Sequence, residues 1–151
     1  MSFEAAALCE PLSIGIWSNQ KAATAPGTRI HIAGRPDRNR LRSSRAIVRR
    51  LRNYRERCRR RSTQVASQFG ATHVIDPIAE DVSSLALDVD AFIDASGASA
   101  AVQPGMKAVR LAGRVVLVGM GTADFTLPVS RIQATEPQLT GAFRYANELA
   151  S

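Results

Sequence analysis

The residues best placed to bind a ligand stand where the sequence predicts that two buried strands end. They are Ser96, Gly97, Val118, Gly119 and Met120. Ser96 and Gly97 follow a strand predicted at 90–94. Val118 and Gly119 are the last residues of a strand predicted at 113–119, and Met120 follows it directly. Ligands of open α/β sheets bind outside the carboxyl ends of parallel strands. The sequence therefore predicts a ligand site where these two strands end.

Other side chains that could carry chemistry do not form a recognisable constellation. His31 and His73 lie in predicted strands with no acid or thiol at ligand spacing, so both are interpreted as structural. Asp94 ends a predicted strand and is interpreted as an anchor for the loop that follows. Cys9 and Cys58 form neither a disulfide framework nor a Cys-x-x-Cys metal motif. They are interpreted as two free thiols in a reducing cytoplasm.

The segment 35–61 differs in composition from the rest of the chain. It holds thirteen arginines and two acids, a local charge of +11, whereas the whole 151-residue chain carries +7. The remainder therefore sums to −4. Such a tract binds polyanions without specificity. It contains one tyrosine and no recognisable DNA-binding motif, which disfavours a specific nucleic-acid site.

Strands and helices alternate along the flanks of this segment, which predicts an α/β fold with a parallel sheet. The predicted helices are 5–21, 63–69 and 100–108, and the predicted strands are 29–34, 72–76, 90–94, 113–119 and 138–143. An apolar stripe at spacings of four, three and four predicts that the arginine segment forms an amphipathic helix, if it is not disordered. The stripe consists of Ile47, Leu51, Tyr54 and Cys58.

Three blocks outside the arginine segment carry a family resemblance. The blocks are ALCEPLS at 7–13, FIDASG at 92–97 with GRVVLVGMG at 113–121, and GAFRYAN at 141–147. In order and spacing they resemble the cofactor domain of the zinc-dependent medium-chain alcohol dehydrogenases, in the sorbitol and polyol dehydrogenase branch. The resemblance covers residues 2–34 and 64–148. It implies a doubly wound, Rossmann-like sheet.

The resemblance also implies an NAD-linked, zinc-dependent oxidation of a polyol or secondary alcohol. It places Glu10 beside the catalytic zinc, as a ligand or through water, and carboxylate oxygen suits such a site. Arg144 and Tyr145 would donate hydrogen bonds to substrate hydroxyls, and the Phe143 backbone would meet the nicotinamide amide. The implied cofactor contacts are Gly34, Ser96, Gly97, Val118, Gly119, Met120 and Phe143. The alternatives are a solvent-facing glutamate and a surface pair at a strand end.

The chain departs from the family pattern directly after Gly34. The family has a G-x-G-x-x-G loop there, whose bare backbone meets the cofactor pyrophosphate, and then a second strand that ends in an acid for the ribose. Here no glycine follows Gly34 until Gly70. Suitable codons for 34–61 read one nucleotide later give AGPIGIVCAAAARSFGASEIIVSDVDA, which restores those parts in order. We therefore hypothesise a one-base shift near Gly34, compensated near Ser62.

These observations lead to a set of expectations about the whole chain. It is expected to be a partial dinucleotide-binding domain, with a lead-in helix and first strand at 1–34, an aberrant segment at 35–62 and the remaining α/β units at 63–148. The family's N-terminal zinc domain is expected to be absent. We therefore expect an inactive chain that holds neither NAD nor zinc well.

Alternatives from other functional classes remain open. The chain could be a basic nucleic-acid- or anion-binding module, or an inactive oligomerisation fragment of a dehydrogenase, and a homo-oligomer is a further expectation. No apolar run of about 18 residues exists, so no membrane span is expected. The N-terminus lacks a secretory pattern, and a cytoplasmic protein is expected.

Overall fold

The fold is seen in a computed structural model that describes residues 2–34, 52–56, 70–77, 79–85, 87–121 and 124–144. The helices in these ranges are α1 (Phe3–Lys21), α2 (Ser99–Lys107) and α3 (Val129–Thr135), and a 3₁₀ turn covers Val82–Ser84. The strands are β1 (Arg29–Gly34), β2 (Arg52–Glu56), β3 (His73–Ile75), β4 (Val89–Ala95), β5 (Val109–Leu117) and β6 (Gln138–Gly141). None of these helices is both long enough and apolar enough to cross a membrane.

The six strands form one sheet in the order β3-β2-β1-β4-β5-β6, and every neighbouring pair is parallel. From β1 the next strands along the chain, β2 and β3, add on one side of the sheet. From β4 the next strands, β5 and β6, add on the other side. This is the order of doubly wound dinucleotide-binding sheets, and β1 and β4 flank the switch point where the winding reverses. The predicted α/β fold with a parallel, Rossmann-like sheet is confirmed.

The strand β2 corrects the expectation for the arginine segment. We expected a helix or disorder in place of a second strand, yet Arg52–Glu56 pairs with β1 on one side and with β3 on the other. Tyr54 is the register partner of both His31 and His73. Backbone pairing on two sides outweighs the apolar spacing that favoured a helix. The other residues of the stripe and the helix predicted at 63–69 lie outside the described ranges.

The strand β5 begins four residues earlier than predicted, at Val109. Gly113, expected to flank the strand, lies inside it, where an added Cβ would collide with the Val109 side chain. The register between β4 and β5 is also irregular between Val89 and Ala91. Glycine inside a strand commonly marks such an irregularity.

Apolar side chains cover both faces of the sheet, as a parallel sheet requires. On one face Phe92 and Val115 pack with Met106 of α2, all three nearly inaccessible to solvent. On the other face Ile93 and Val116 share a cluster with Ala22, which follows α1. Successive strand residues therefore point to opposite faces, in the two-residue period of a β-strand. These two layers fix the ends of β1, β4 and β5 at one edge.

Candidate functional site

The loops after β4 and β5 lie against each other at the carboxyl edge of the sheet. Gly97 has a φ of +67°, and a Cβ there would lie 2.6 Å from the Gly121 nitrogen. A Cβ on Gly119 or Gly121 would collide with the Gly97 backbone. The two loops thus approach so closely that none of the three positions has room for a side chain. The structure brings together the two groups of residues that the sequence predicted to share a site.

Asp94, the penultimate residue of β4, connects both loops. Its carboxylate accepts hydrogen bonds from the Ser96 amide (2.9 Å), the Ser96 hydroxyl (2.6 Å) and the Gly97 amide (3.0 Å). Its backbone carbonyl accepts from the amides of Val118 (2.8 Å) and Gly119 (2.9 Å). The interpretation of Asp94 as a loop anchor is confirmed, and the anchor reaches a second loop that the sequence did not indicate.

Burial and hydrogen bonding act in opposite directions on Asp94. Its side chain is 1% exposed, and this burial raises the pKa of the carboxyl above its ordinary value, against the hydrogen bonds from Ser96 and Gly97. The three donors nevertheless satisfy the carboxylate oxygens, which is the usual condition for a buried polar group. Asp94 therefore connects the loop after β4 with the loop after β5 through hydrogen bonds from a buried position.

The predicted cofactor contacts differ in what they can offer a ligand. Ser96 and Gly97 are buried, and the amide of Gly97 is already bound to Asp94. Val118 and Gly119 are partly exposed with their amides also used, and Met120 is 73% exposed. Ser96 and Gly97 thus form a buried layer beneath the surface that a ligand could contact. A ligand would meet the other three residues as a surface in which the amides of Val118 and Gly119 are already paired.

Gly34 stands at the same edge, on the other side of the switch point. It ends β1 and is the register partner of Ala95 in β4. No atom lies within 4 Å of the position where a Cβ would stand on Gly34. The space above this glycine is therefore open to a ligand within the described part of the chain, and residues 35–51 that follow it lie outside that part.

Phe143 and Arg144 follow β6 at the far side of this edge. The Ala142 amide donates to the Leu117 carbonyl at 2.8 Å, which holds the end of β6 beside the end of β5. Phe143 is 70% exposed, and the Arg144 guanidinium lies 5.3 Å from the centre of its ring. Arg144 has a φ of +57°, an unusual conformation for a residue with a side chain. Tyr145 lies outside the described residues.

Glu10 lies on the helix α1, far in sequence from the residues of the carboxyl edge. Its side chain is exposed. No set of three or more His, Cys, Asp or Glu side chains able to hold a metal occurs in the described ranges. A zinc ion needs three or four protein ligands. The described residues therefore do not supply a zinc site, and a role of Glu10 as a single ligand stays a prediction.

His31 is buried in the central strand β1 and takes no part in the edge. Its ring centre lies 5.1 Å from that of Phe92, and neither ring nitrogen has a hydrogen-bond partner among the described residues. Burial lowers the pKa of His31 from 6.5 to about 4, so the imidazole is neutral at pH 7. The packing agrees with the structural role predicted from sequence.

Gly121 is the site residue that the sequence analysis did not select. Its backbone lies against Gly97, which is why a side chain cannot be added there. The signal available in the sequence was the pair of glycines at 119 and 121, spaced by one residue after an apolar strand. Glycine that recurs at a strand end indicates close backbone approach.

Comparison with known proteins shows which proteins this chain resembles. The family model "Zinc-binding dehydrogenase" matches residues 57–151. Sorbitol dehydrogenase of Arabidopsis thaliana is 31% identical over 97% of this chain and 43% of its own length.

Two solved structures share the fold. L-idonate 5-dehydrogenase of Escherichia coli has a TM-score of 0.85 and 24% identity over 97% of this chain and 44% of its own. A zinc-binding dehydrogenase of Sinorhizobium meliloti bound to NADP has a TM-score of 0.78 and 21% identity, over 92% and 44% respectively. The chain thus spans less than half the length of the proteins that it matches.

Proposed function

We propose, from the premise that the chain belongs to the zinc-binding dehydrogenase family, that it is the cofactor-binding part of a nicotinamide-dependent polyol or secondary-alcohol dehydrogenase. In that reaction the alcohol carbon gives a hydride to the nicotinamide ring and the hydroxyl loses a proton, so that a carbonyl compound forms. The names of the sorbitol and idonate dehydrogenases support the substrate class. The NADP-bound structure supports the cofactor class.

One observation carries the proposal: glycine-lined strand ends meet beside the switch point of the sheet. Gly34 and Ala95 face this point from β1 and β4, and the loop of Gly97 packs on that of Gly119. Dinucleotides bind at such a switch point in doubly wound sheets. Val118, Gly119 and Met120 would supply the surface against which the cofactor lies, and Phe143 and Arg144 would border it.

We further propose that this chain binds the cofactor weakly. A pyrophosphate needs free amides at a helix N-terminus and no Cβ in the way. The amides of Gly97, Val118 and Gly119 are occupied by Asp94, and no glycine stands between Gly34 and Gly70. The phosphates therefore lack their usual donors. We expect no measurable turnover of sorbitol or xylitol with NAD.

Calorimetric titration of the 151-residue chain with NAD⁺ and with NADP⁺ tests the proposal, with Met120→Glu as the variant, because Met120 is 73% exposed and its replacement leaves the loop packing intact. Weak, saturable binding that Met120→Glu abolishes would support a cofactor edge. Absence of any binding at millimolar NAD⁺ would contradict the proposal that the carboxyl edge binds this cofactor. Tight binding would refute the expected loss of the phosphate donors, and turnover would refute inactivity.

For zinc we propose that Glu10 contributes at most one ligand. Since the described residues lack a donor set, zinc should be lost from the purified chain on desalting. Elemental analysis after incubation with zinc chloride checks this. One zinc retained per chain would contradict the expectation.

A second candidate function rests on charge alone. The thirteen arginines of 35–61 favour binding of RNA or another polyanion, with an affinity that falls steeply with salt. Gel-shift measurements on RNAs of different sequence, at rising salt, separate the possibilities. A clear sequence preference at physiological salt would favour a nucleic-acid module over the non-specific binding that we expect.

A homo-oligomer stays a prediction that analytical ultracentrifugation can test.

A further inference from the structure

A second concave site lies at the opposite end of the sheet from the cofactor edge. A cavity of about 230 Å³ opens where α2 ends and β5 begins, between the 3₁₀ turn and α3. Its polar lining consists of Ser83, Asp88, Lys107, Arg110 and Arg131. Val109 and Leu117 of β5 pair with Val89 and Asp94 of β4, so the two ends of β5 are separated by roughly 17 Å. This cavity is therefore independent of the cofactor site.

Arg131 is the residue that makes the cavity unusual. Its Nη2 donates to the Lys107 carbonyl at 3.0 Å and to the Val109 carbonyl at 3.4 Å. Its Nε is buried and has no hydrogen-bond acceptor in the part of the chain that the structure describes. A buried cationic donor without an acceptor is costly, so the Arg131 guanidinium carries a charge that a nearby anion would stabilise. The two carbonyls that could repel an anion are already paired with the same guanidinium.

The charges around Arg131 also favour an anion. Lys107, Arg110 and Arg131 line the cavity with a single acid, Asp88. Asp88 is paired outward with Arg29 at 3.1 Å. The structure records no acceptor for the exposed Lys107 ammonium within the ranges that it describes. The cavity therefore has an excess of positive charge, and among the residues that the structure describes neither Lys107 nor Arg131 has an ion-pair partner.

Arg110 is held in position by a separate ion pair. Its Nε donates to Asp90 at 2.7 Å, and its Nη1 donates to the Leu111 carbonyl at 3.0 Å. Burial acts to raise the pKa of Asp90, but hydrogen bonds and charge from Arg29 and Arg110 keep it below its ordinary value. Asp90 is thus ionised at neutral pH, which fixes Arg110 beside the cavity before any ligand arrives.

We propose that this cavity binds a small oxyanion of the phosphate type. Guanidinium groups match phosphate oxygens in shape and charge, and a preformed arrangement loses little entropy on binding. The positive charges of Arg131, Lys107 and Arg110, which all line the cavity, would together neutralise the oxyanion. The proposal does not depend on the dehydrogenase assignment, because none of these residues belongs to the carboxyl edge.

The test is an NMR titration of the ¹⁵N-labelled chain with inorganic phosphate at constant ionic strength. The arginines of 35–61 will attract anions as well, so the readout is restricted to the amides of Ala108, Val109 and Arg110. We expect saturable shifts there, with affinity reduced about tenfold or more in Lys107→Met and Arg131→Met, since each removes a charge-assisted contact. Arg114→Met removes the same charge from β5 outside the cavity and should leave the affinity unchanged.

Lys107→Met keeps the test decisive if Arg131→Met does not fold, because Lys107 is exposed at the end of α2. Acetate at matched concentration serves as a second probe. Linear shifts that do not saturate would overturn the proposal. Equal weakening by Arg114→Met, or equal affinity for acetate, would overturn it as well.

Discussion

At the scale of single residues, Asp94 determines the shape of the candidate cofactor edge. Its side chain holds the loop of Ser96 and Gly97, and its carbonyl holds the loop of Val118 and Gly119. The sequence showed an acid at a strand end and could therefore indicate a loop anchor. It could not indicate the second loop, because that contact joins residues more than twenty positions apart that only the sheet brings together.

Replacement of Asp94 by alanine should destabilise the chain by about 2–4 kcal/mol, because buried amides left unpaired cost ~1–3 kcal/mol each. The amides in question belong to Ser96 and Gly97. Urea denaturation followed by circular dichroism measures the change in unfolding free energy. Asp81→Ala is a matched control, since the exposed Asp81 accepts a similar turn bond from the Ser83 amide at 2.9 Å.

The control should cost only about 1 kcal/mol, because its amide becomes hydrated when the acceptor is removed. Equal losses in Asp94→Ala and Asp81→Ala would show that burial of the Asp94 network contributes nothing.

At the scale of elements, local signals predicted most of the fold. The helix α1 and the strands β1, β3, β4 and β6 lie within a few residues of the predicted ranges, because apolar runs and glycine or proline ends mark them. The helix α3 was missed, since its seven residues carry no buried side chain and no side-chain cap. The strand β2 was missed because its pairing with β1 and β3 is long-range information.

The contact between α2 and β4 depends on one glycine. Gly105 lies on α2, and a Cβ there would collide with the Phe92 ring. Alanine is intrinsically favoured over glycine in a helix by about 1 kcal/mol. We nevertheless expect Gly105→Ala to destabilise the chain by about 1–3 kcal/mol, because overpacking a close contact outweighs that gain.

The double variant Phe92→Leu with Gly105→Ala provides the check on this explanation. The smaller leucine makes room for the methyl group, so the two changes should cost less together than the sum of the single losses. Strict additivity in thermal unfolding would mean that the steric argument is incorrect.

The sequence of β2 is unusual for its position in the sheet. Interior parallel strands are nearly continuous apolar runs, but β2 reads Arg-Asn-Tyr-Arg-Glu. In the shifted reading frame hypothesised above, the same five positions read Glu-Ile-Ile-Val-Ser and are followed by an aspartate. That string fits both an interior strand and the acid that binds the ribose. The free codon positions were chosen to suit the family, so this agreement shows that a one-base shift is possible and does not test it.

A chain with residues 34–60 replaced by the shifted reading should therefore bind NAD⁺ at least about a hundredfold more tightly than the 151-residue chain, because the phosphate donors return. Calorimetry on both chains measures the difference, and sequencing of the coding DNA tests the shift itself. A restored chain with glycines of the new loop changed to valine is the control and should lose the gain. Equal affinities of the restored and original chains would contradict the explanation.

At the scale of the whole molecule, folding places a titratable group at the centre of the sheet. His31 lies on β1 with its ring against Phe92 and has no hydrogen-bond partner within the described ranges. Burial keeps the imidazole neutral by lowering its pKa from 6.5 to about 4. The unfolded chain therefore binds a proton more readily than the folded chain, and the position ties the stability of the whole sheet to pH.

This linkage makes the folded chain less stable in acid. Stability from neutral His31 is fully present above pH 6.5 and is lost as the pH falls toward about 4. The loss should reach about 3 kcal/mol near pH 4, since one pKa unit corresponds to ~1.4 kcal/mol. His31→Leu removes the titrating group and keeps an apolar side chain, so it should lack this component of acid sensitivity. Urea denaturation of both chains from pH 7 to about pH 4 measures the difference between their free energies of unfolding. The carboxyl titrations that the two chains share cancel in this difference. If the two free energies fall in parallel with pH, His31 is not the cause of the acid sensitivity.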